Sequence, residues 1–163
     1  MSTRKVAGFG VLIALAFIFS YIESLIPISL GVPGIKLGFA NIVVIIALYK
    51  MGPKEAVTLS LLRIFLVGMT FGNASMMLYS FGGAALSLLV MIGAKQIKLF
   101  SMVGVSILGG IMHNVGQIII AIIVLESGVL VHYLPVLLIA GIVTGMIVGI
   151  MGAEIAKRLG GVM

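Results

Sequence analysis

Aspartate and cysteine are both absent from the 163 residues, and the two absences exclude several kinds of chemistry. Without cysteine the chain has no disulfide, no thiolate metal ligand and no thiol nucleophile. Without aspartate it cannot build the aspartate-rich magnesium site used in prenyl diphosphate synthesis, and it has no Gly-x-x-x-x-Gly-Lys-Ser/Thr loop for ATP. The sequence therefore predicts a protein that is not an enzyme, with no catalytic residues, no metal and no cofactor.

Charged residues are also scarce, at 9% of the chain against 62% hydrophobic residues. This composition leaves too little polar surface to solvate a globular protein. The apolar run from Val6 to Ile22 continues into Glu23 and Pro27 without a small-residue cleavage site, which favours a first spanning helix over a signal peptide. We expect an integral membrane protein.

Six apolar segments are long enough to span or nearly span about 30 Å of hydrocarbon, at about 1.5 Å per residue. They cover residues 6–22, 35–50, 55–71, 76–94, 101–125 and 133–156. The predicted fold is an all-α integral membrane protein with six transmembrane helices, in one domain that covers residues 1–163.

Basic residues are placed in pairs at alternate ends of these segments. The pairs are Arg4 and Lys5, Lys50 and Lys54, Lys95 and Lys98, and Lys157 and Arg158. The intervening connections 23–34, 72–75 and 126–132 carry no lysine or arginine. By the positive-inside rule both termini are expected to be cytoplasmic. Anionic headgroups can hold these pairs, so the net charge of +6 does not indicate a nucleic-acid partner.

Arg63 lies in the middle of the third apolar segment. A guanidinium at bilayer depth costs several kcal/mol, so it has to face a protein interior, a water-filled cavity or a charged partner. We interpret it as part of a binding site. The alternative is a structural role, in which Arg63 pairs with Glu23 or caps a backbone carbonyl.

Other hydrogen-bonding side chains cluster in the middle and outer half of the spans, at Asn41, His113, Asn114 and Gln117. His113 and Gln117 are four residues apart and share one helix face, while Asn114 is one step round. Hydrogen bonding between helices would explain each of them singly. As a cluster with Arg63 they predict ligand contact.

The charges near this cluster predict the ligand's character. Lys36 and Arg63 supply fixed positive charge, His113 a tunable one, and Glu23 is an acid near the same end. We expect a cavity that receives an anionic or strongly polar ligand from outside. For Lys36, contact of its ammonium group with lipid headgroups is the alternative.

Small residues recur along two helices. Gly141, Gly145, Gly149 and Ala153 are spaced every four residues, which allows close approach of another helix, and packing within the bundle is the simplest interpretation. In the first helix Gly10 and Ala14 form a stripe near the cytoplasmic face, where a partner subunit could dock.

Three stretches carry a resemblance that covers most of the chain: Gly31–Val43, Ser80–Ala84 and Gly109–Gln117. Together they resemble the bacterial Gx transporter family, often labelled heptaprenyl diphosphate synthase component I. That family is similar to the S components of energy-coupling factor (ECF) transporters. Those are six-helix proteins that capture a micronutrient from outside and work with a transmembrane T component and two cytoplasmic ATPases.

The resemblance implies an S-component-like substrate-binding subunit in the bacterial cytoplasmic membrane, taking up a small, anionic micronutrient or cofactor precursor. Lys36, Asn41, His113, Asn114 and Gln117 occupy the family's motif positions, whereas Arg63 and Glu23 are inferred from depth and charge alone.

Two further implications follow from the resemblance. S components commonly dock through an Ala-x-x-x-Ala stripe on the first helix, and the nearest match here is Gly10 to Ala14. The synthase label implies a prenyl or quinone connection, although the missing aspartates argue against synthase chemistry in this chain. The alternative function is therefore a non-catalytic accessory or scaffold subunit of prenyl-quinone or flavin-linked membrane machinery.

Overall fold

A computed structural model describes residues 3–25 and 38–159, which are helical apart from short connections. The α-helices are α1 (Thr3–Leu25), α2 (Asn41–Lys50), α3 (Pro53–Thr70), α4 (Ala74–Ile97), α5 (Met102–Leu125) and α6 (Leu134–Arg158), with a short 3-10 helix at Gly128–Tyr133. Each of the five α-helices other than α2 begins and ends within three residues of its predicted segment. The prediction of an all-α protein is confirmed for the described residues.

The helices begin where local chemistry satisfies their first backbone N–H groups. Pro53 starts α3, and proline suits a first turn because its missing N–H would have no partner there. The Asn73 side chain accepts the Met76 N–H at 2.8 Å before α4, and the Ser101 hydroxyl accepts the Gly104 N–H at 3.2 Å before α5. These N-caps mark where one apolar helix ends and the next begins, although only a few residues connect the two helices.

The second helix is shorter than predicted. Gly38 has a φ of +86° and residues 39–40 form a turn, so the expectation of a helix from residue 35 is wrong at residues 38–40. A left-handed backbone conformation cannot continue a right-handed helix, and α2 starts at Asn41. Its 10 residues span about 15 Å, half of what a bilayer core requires.

Four segments are long and apolar enough to cross a membrane: Lys5–Leu25, Ala74–Ile97, Met102–Leu125 and Gly128–Arg158. Large apolar side chains cover the outside of the bundle, with Leu89 71% exposed and Met69 68% exposed, as expected for surfaces that face lipid. The chain is a multi-pass membrane protein. A count of six crossings stays a prediction, because α2 is short and α3 carries Arg63 and two charged residues in its first turn.

The core surrounds α2. Residues 42–48 are all buried, and the helix packs against α1, α3 and α6. A helix that is buried on every side has no face turned to solvent or lipid.

The other half of the bundle is a closely packed row in which α5 lies between α4 and α6. Gly141, Gly145 and Gly149 of α6 face the α5 backbone, and a Cβ on Gly145 would lie 2.7 Å from the Ile107 Cα. The predicted packing of this glycine series within the bundle is confirmed.

Two long side chains show which helix ends meet. The Lys5 ammonium lies 3.5 Å from the Glu55 carboxylate, and the Lys95 ammonium donates to the Leu48 carbonyl at 2.6 Å. The start of α1, the start of α3 and the ends of α2 and α4 therefore share one end of the bundle, called here the basic end. Which side of the membrane this end faces stays a prediction.

Candidate functional site

A polar cavity lies in the half of the bundle away from the basic end. Helices α1, α3, α4 and α5 and the turn before α2 contribute to its lining, which consists of Ser20, Glu23, Gly38, Arg63, Ile64, Val67, Ser80, His113 and Gln117. The cavity volume is about 20 Å³, which is room for about one water. Four of the predicted site residues, Glu23, Arg63, His113 and Gln117, meet here.

Arg63 reaches this cavity from the middle of α3 and is only 7% exposed. Its Nε has no hydrogen-bond partner among residues 3–25 and 38–159. Glu23 is near enough for its charge to attract the guanidinium, yet the two side chains form no ion pair. The Glu23 carboxylate instead accepts the Gly38 backbone N–H at 2.5 Å. The structural alternative, in which Glu23 neutralises Arg63 directly, is therefore not the observed arrangement.

His113 and Gln117 lie on the next turns of α5 and are 3% and 1% exposed. Within the described part of the chain, His113 Nδ1 and both amide atoms of Gln117 lack hydrogen-bond partners. Buried polar groups in proteins are nearly always hydrogen-bonded, so such a concentration in one cavity requires an explanation.

The close approach of α4 to α5 holds these side chains in place. A Cβ on Gly83 would lie 2.9 Å from both Gln117 Cγ and His113 Cε1, and one on Gly116 would lie 2.3 Å from the Gly82 carbonyl oxygen. Only glycine fits at these positions without movement of the backbone. The Ser80–Ala84 motif therefore contributes the wall against which His113 and Gln117 lie.

Asn41 lies beside the cavity. A Cβ on Gly38 would lie 2.8 Å from Asn41 Nδ2 and 3.6 Å from His113 Cδ2, so the three residues are neighbours. Asn41 lines a second, smaller cavity that shares Gly38 with the first and extends towards Ser87 and Ser106. The predicted residue is thus next to the site but faces a different space.

Asn114 lines neither of these two cavities. It is 1% exposed, and its amide nitrogen donates to the Leu137 carbonyl at 2.7 Å, which joins α5 to α6. Its assignment to ligand binding stays a prediction that this geometry does not support. Lys36 lies outside the described residues.

The predicted docking stripe is open. Gly10 and Ala14 are both exposed, and a Cβ on Gly10 would meet no atom within 4 Å. The glycines of α6 are packed inside the bundle. On α1, by contrast, Gly10 and Ala14 form an exposed strip without large side chains.

Ser20, Gly38 and Ser80 line the cavity but were not predicted as site residues. Ser20 and Ser80 carry hydroxyls on helix faces that the sequence does not distinguish from packing faces. A signal for Gly38 and Ser80 existed, because both lie within stretches that carry the family resemblance. Within residues 3–25 and 38–159, no three histidine or glutamate side chains are grouped so as to hold a metal ion.

Comparisons with known proteins bear on the fold and on the family. The fold matches a solved structure described as "Structure and mechanism of the S component of a bacterial ECF transporter", with a TM-score of 0.71 and 20% sequence identity over 98% of this chain and 97% of that chain. A search of curated proteins finds no match. The family model for heptaprenyl diphosphate synthase component I matches residues 12–155, and the chain therefore belongs to that family.

Proposed function

We propose that this protein is the substrate-binding membrane subunit of an ECF-type uptake transporter. It captures a small anionic micronutrient or cofactor precursor from outside and delivers it inward with a T component and two ATPase subunits. The observation that carries the proposal is the cavity in which Arg63 Nε, His113 Nδ1 and both amide atoms of Gln117 are buried without hydrogen-bond partners among the described residues.

Burying these polar groups without hydrogen-bond partners costs free energy. A buried donor or acceptor left without a partner costs about 1–3 kcal/mol, and a charged one costs more. Arg63 is kept at this depth although no described carboxylate pairs with it. An anionic ligand group would accept a hydrogen bond from Arg63 Nε and offset the guanidinium charge. Because the space holds about one water, only the ligand's recognised group fits without rearrangement of the lining.

The direction of uptake follows from the arrangement of charge. The basic end of the bundle faces the cytoplasm under the positive-inside rule. The cavity lies in the opposite half, since Glu23 is near the far end of α1 and Gly38 comes before α2. A ligand would therefore enter from outside.

Energy has to come from partners, because the sequence contains no nucleotide-binding loop. The likeness of fold to an S component supports assembly with a T component and ATPases. The open stripe at Gly10 and Ala14 is where we place the docking contact, since small residues let helix backbones come close.

Catalysis is not part of the proposal, despite the synthase in the family name. Prenyl diphosphate chemistry needs carboxylates that bind magnesium, and the chain has no aspartate and four glutamates. Those four, Glu23, Glu55, Glu126 and Glu154, lie on different helices or helix ends.

The proposal is tested by native mass spectrometry of gently purified protein together with uptake in cells. We expect a small anion to co-purify, and its uptake to require a T component and ATPases supplied with the chain. A protein that retains no small molecule, and is unstable until a protein partner is added, would favour the accessory-subunit alternative.

A further inference from the structure

We propose that the cavity recognises a ligand whose acidic group lies beside a cyclic amide, a lactam or an imide. The acid binds Arg63 and the amide edge binds Gln117. This inference rests on the proposed function and adds the chemical class of the ligand.

Gln117 is the residue that carries the inference. It is 1% exposed, it lines the cavity, and neither its Oε1 nor its Nε2 has a partner among the described residues. A glutamine amide offers an acceptor oxygen and a donor nitrogen on the same planar edge. The neighbouring Asn114 differs, since its nitrogen is already bound to the Leu137 carbonyl and only its Oδ1 lacks a partner among the described residues.

A simple anion cannot satisfy this arrangement. A carboxylate or phosphate oxygen only accepts hydrogen bonds, so it can bind Arg63 Nε and Gln117 Nε2. Gln117 Oε1 would then face another acceptor and remain without a donor. A ligand that carries an N–H beside a C=O in addition to its acidic group supplies both the donor and the acceptor that Gln117 lacks.

The geometry of an amide edge narrows the class further. A primary amide presents an N–H and its C=O on one edge but rotates freely about the bond that joins it to the ligand. An open-chain secondary amide is trans and presents the two groups on opposite sides, so it meets Gln117 with one group at a time. A ring forces the amide into the cis form, in which both groups point the same way and form two parallel hydrogen bonds with the glutamine amide. Paired bonds of this kind add geometric specificity. His113 Nδ1, also without a described partner, is available to a further polar group of the ligand.

The chain offers a direct experiment, because its only glutamines are Gln96 and Gln117. Gln96 is exposed near the end of α4 and serves as the internal control. The full chain, labelled with isotope at the glutamine side-chain nitrogen, is placed in nanodiscs and titrated by NMR with four ring compounds. Pyroglutamate carries both the acid and the lactam, and N-methylpyroglutamate lacks the N–H. Cyclopentanecarboxylate carries only the acid, and pyrrolidinone carries only the lactam.

We expect pyroglutamate at millimolar concentration to shift the Gln117 signal and leave Gln96 unchanged. The other three compounds should bind at least about tenfold more weakly, which corresponds to the loss of one hydrogen bond or one charge contact. In calorimetry, Gln117→Met should abolish the preference for pyroglutamate over its N-methyl derivative, and Gln96→Met should retain it.

Equal binding of pyroglutamate and cyclopentanecarboxylate would overturn the inference while leaving an anionic site in place. A Gln117 signal that none of the four compounds moves would overturn it too, and the co-purified anion would still report on the proposed function. Equal binding of pyrrolidinone and pyroglutamate would show that the acidic group contributes nothing to binding. That result would overturn the inference and also contradict the anionic ligand of the proposed function.

Discussion

The Glu23 carboxylate accepts the Gly38 backbone N–H, while Arg63, which lines the same cavity, forms no ion pair with Glu23. The bond ties the far end of α1 to the turn before α2. An acid and a guanidinium therefore line one cavity without direct contact between them.

Replacing Arg63 by methionine should abolish binding of the co-purified ligand and leave a folded protein. No described carboxylate loses an ion-pair partner in this variant, and methionine fills a comparable volume. Native mass spectrometry measures the ligand and size-exclusion chromatography the fold. Arg158→Met is the matched control, because Arg158 is exposed and pairs with Glu154. Aggregation of the Arg63 variant alone would instead indicate a structural role.

His113→Ala should weaken ligand binding by about 1–2 kcal/mol, the cost of one hydrogen bond, which is about 5- to 30-fold in Kd. Calorimetry with the purified ligand measures this change. His132→Ala is the control, since that ring is exposed and its Nδ1 lies 3.0 Å from the Val129 carbonyl in the short 3-10 helix. Identical affinities for the two variants would place His113 outside the binding site.

Labelling can determine the orientation, because the chain has no cysteine of its own. A cysteine at Gln96, near the basic end, should be protected from an impermeant thiol reagent in intact cells. One at Ser127, between α5 and the 3-10 helix, should react. The reverse pattern would place the cavity on the cytoplasmic side and contradict the proposed uptake function.

Gly10→Leu or Ala14→Leu should stop uptake in cells without changing ligand affinity of the purified chain. Both positions are exposed on α1, so a leucine there disturbs nothing within the bundle and keeps a partner helix at a distance. Gly93→Leu is the control, since a Cβ on Gly93 of α4 also meets no atom within 4 Å. Normal uptake by both α1 variants would exclude this stripe as the docking surface.

Gly145→Ala should lower thermal stability, in contrast to Gly10→Ala. A Cβ on Gly145 would lie 2.7 Å from the Ile107 Cα and 2.8 Å from the Ser106 carbonyl oxygen, both backbone atoms that cannot rotate away. Overpacking of this kind costs about 1–3 kcal/mol. Melting curves of the two variants in the same detergent compare them directly, and equal melting temperatures would contradict the observed α5–α6 packing.

Hydrophobic run length alone predicted most helices, because each apolar segment ends at a turn or capping residue. The start of α2 could not be predicted this way, since the left-handed conformation of Gly38 interrupts an apolar run. Arg63, His113 and Gln117 were predicted because polar groups in the middle of an apolar helix have few reasons to be there, and because His113 and Gln117 share one helix face. Asn114 was grouped with them by sequence, yet one step along a helix rotates a side chain by about 100°, and it faces α6. The place of Ser20 at the cavity depends on how separate helices converge, which helix pattern alone does not show, whereas Ser80 lies in a stretch that carries the family resemblance.

The glycine contacts that join α4, α5 and α6 have a mechanical consequence. Where backbone meets backbone without an intervening side chain, no rotamer can change to let one helix slide past another, so we expect these three helices to move together. The cavity lies along the seam between these three helices and α1 and α3, with Arg63 on one side and Gln117 on the other. We therefore expect any widening that admits a whole ligand to come from displacement of α1, α3 and the turn before α2, and hydrogen exchange should be fastest there.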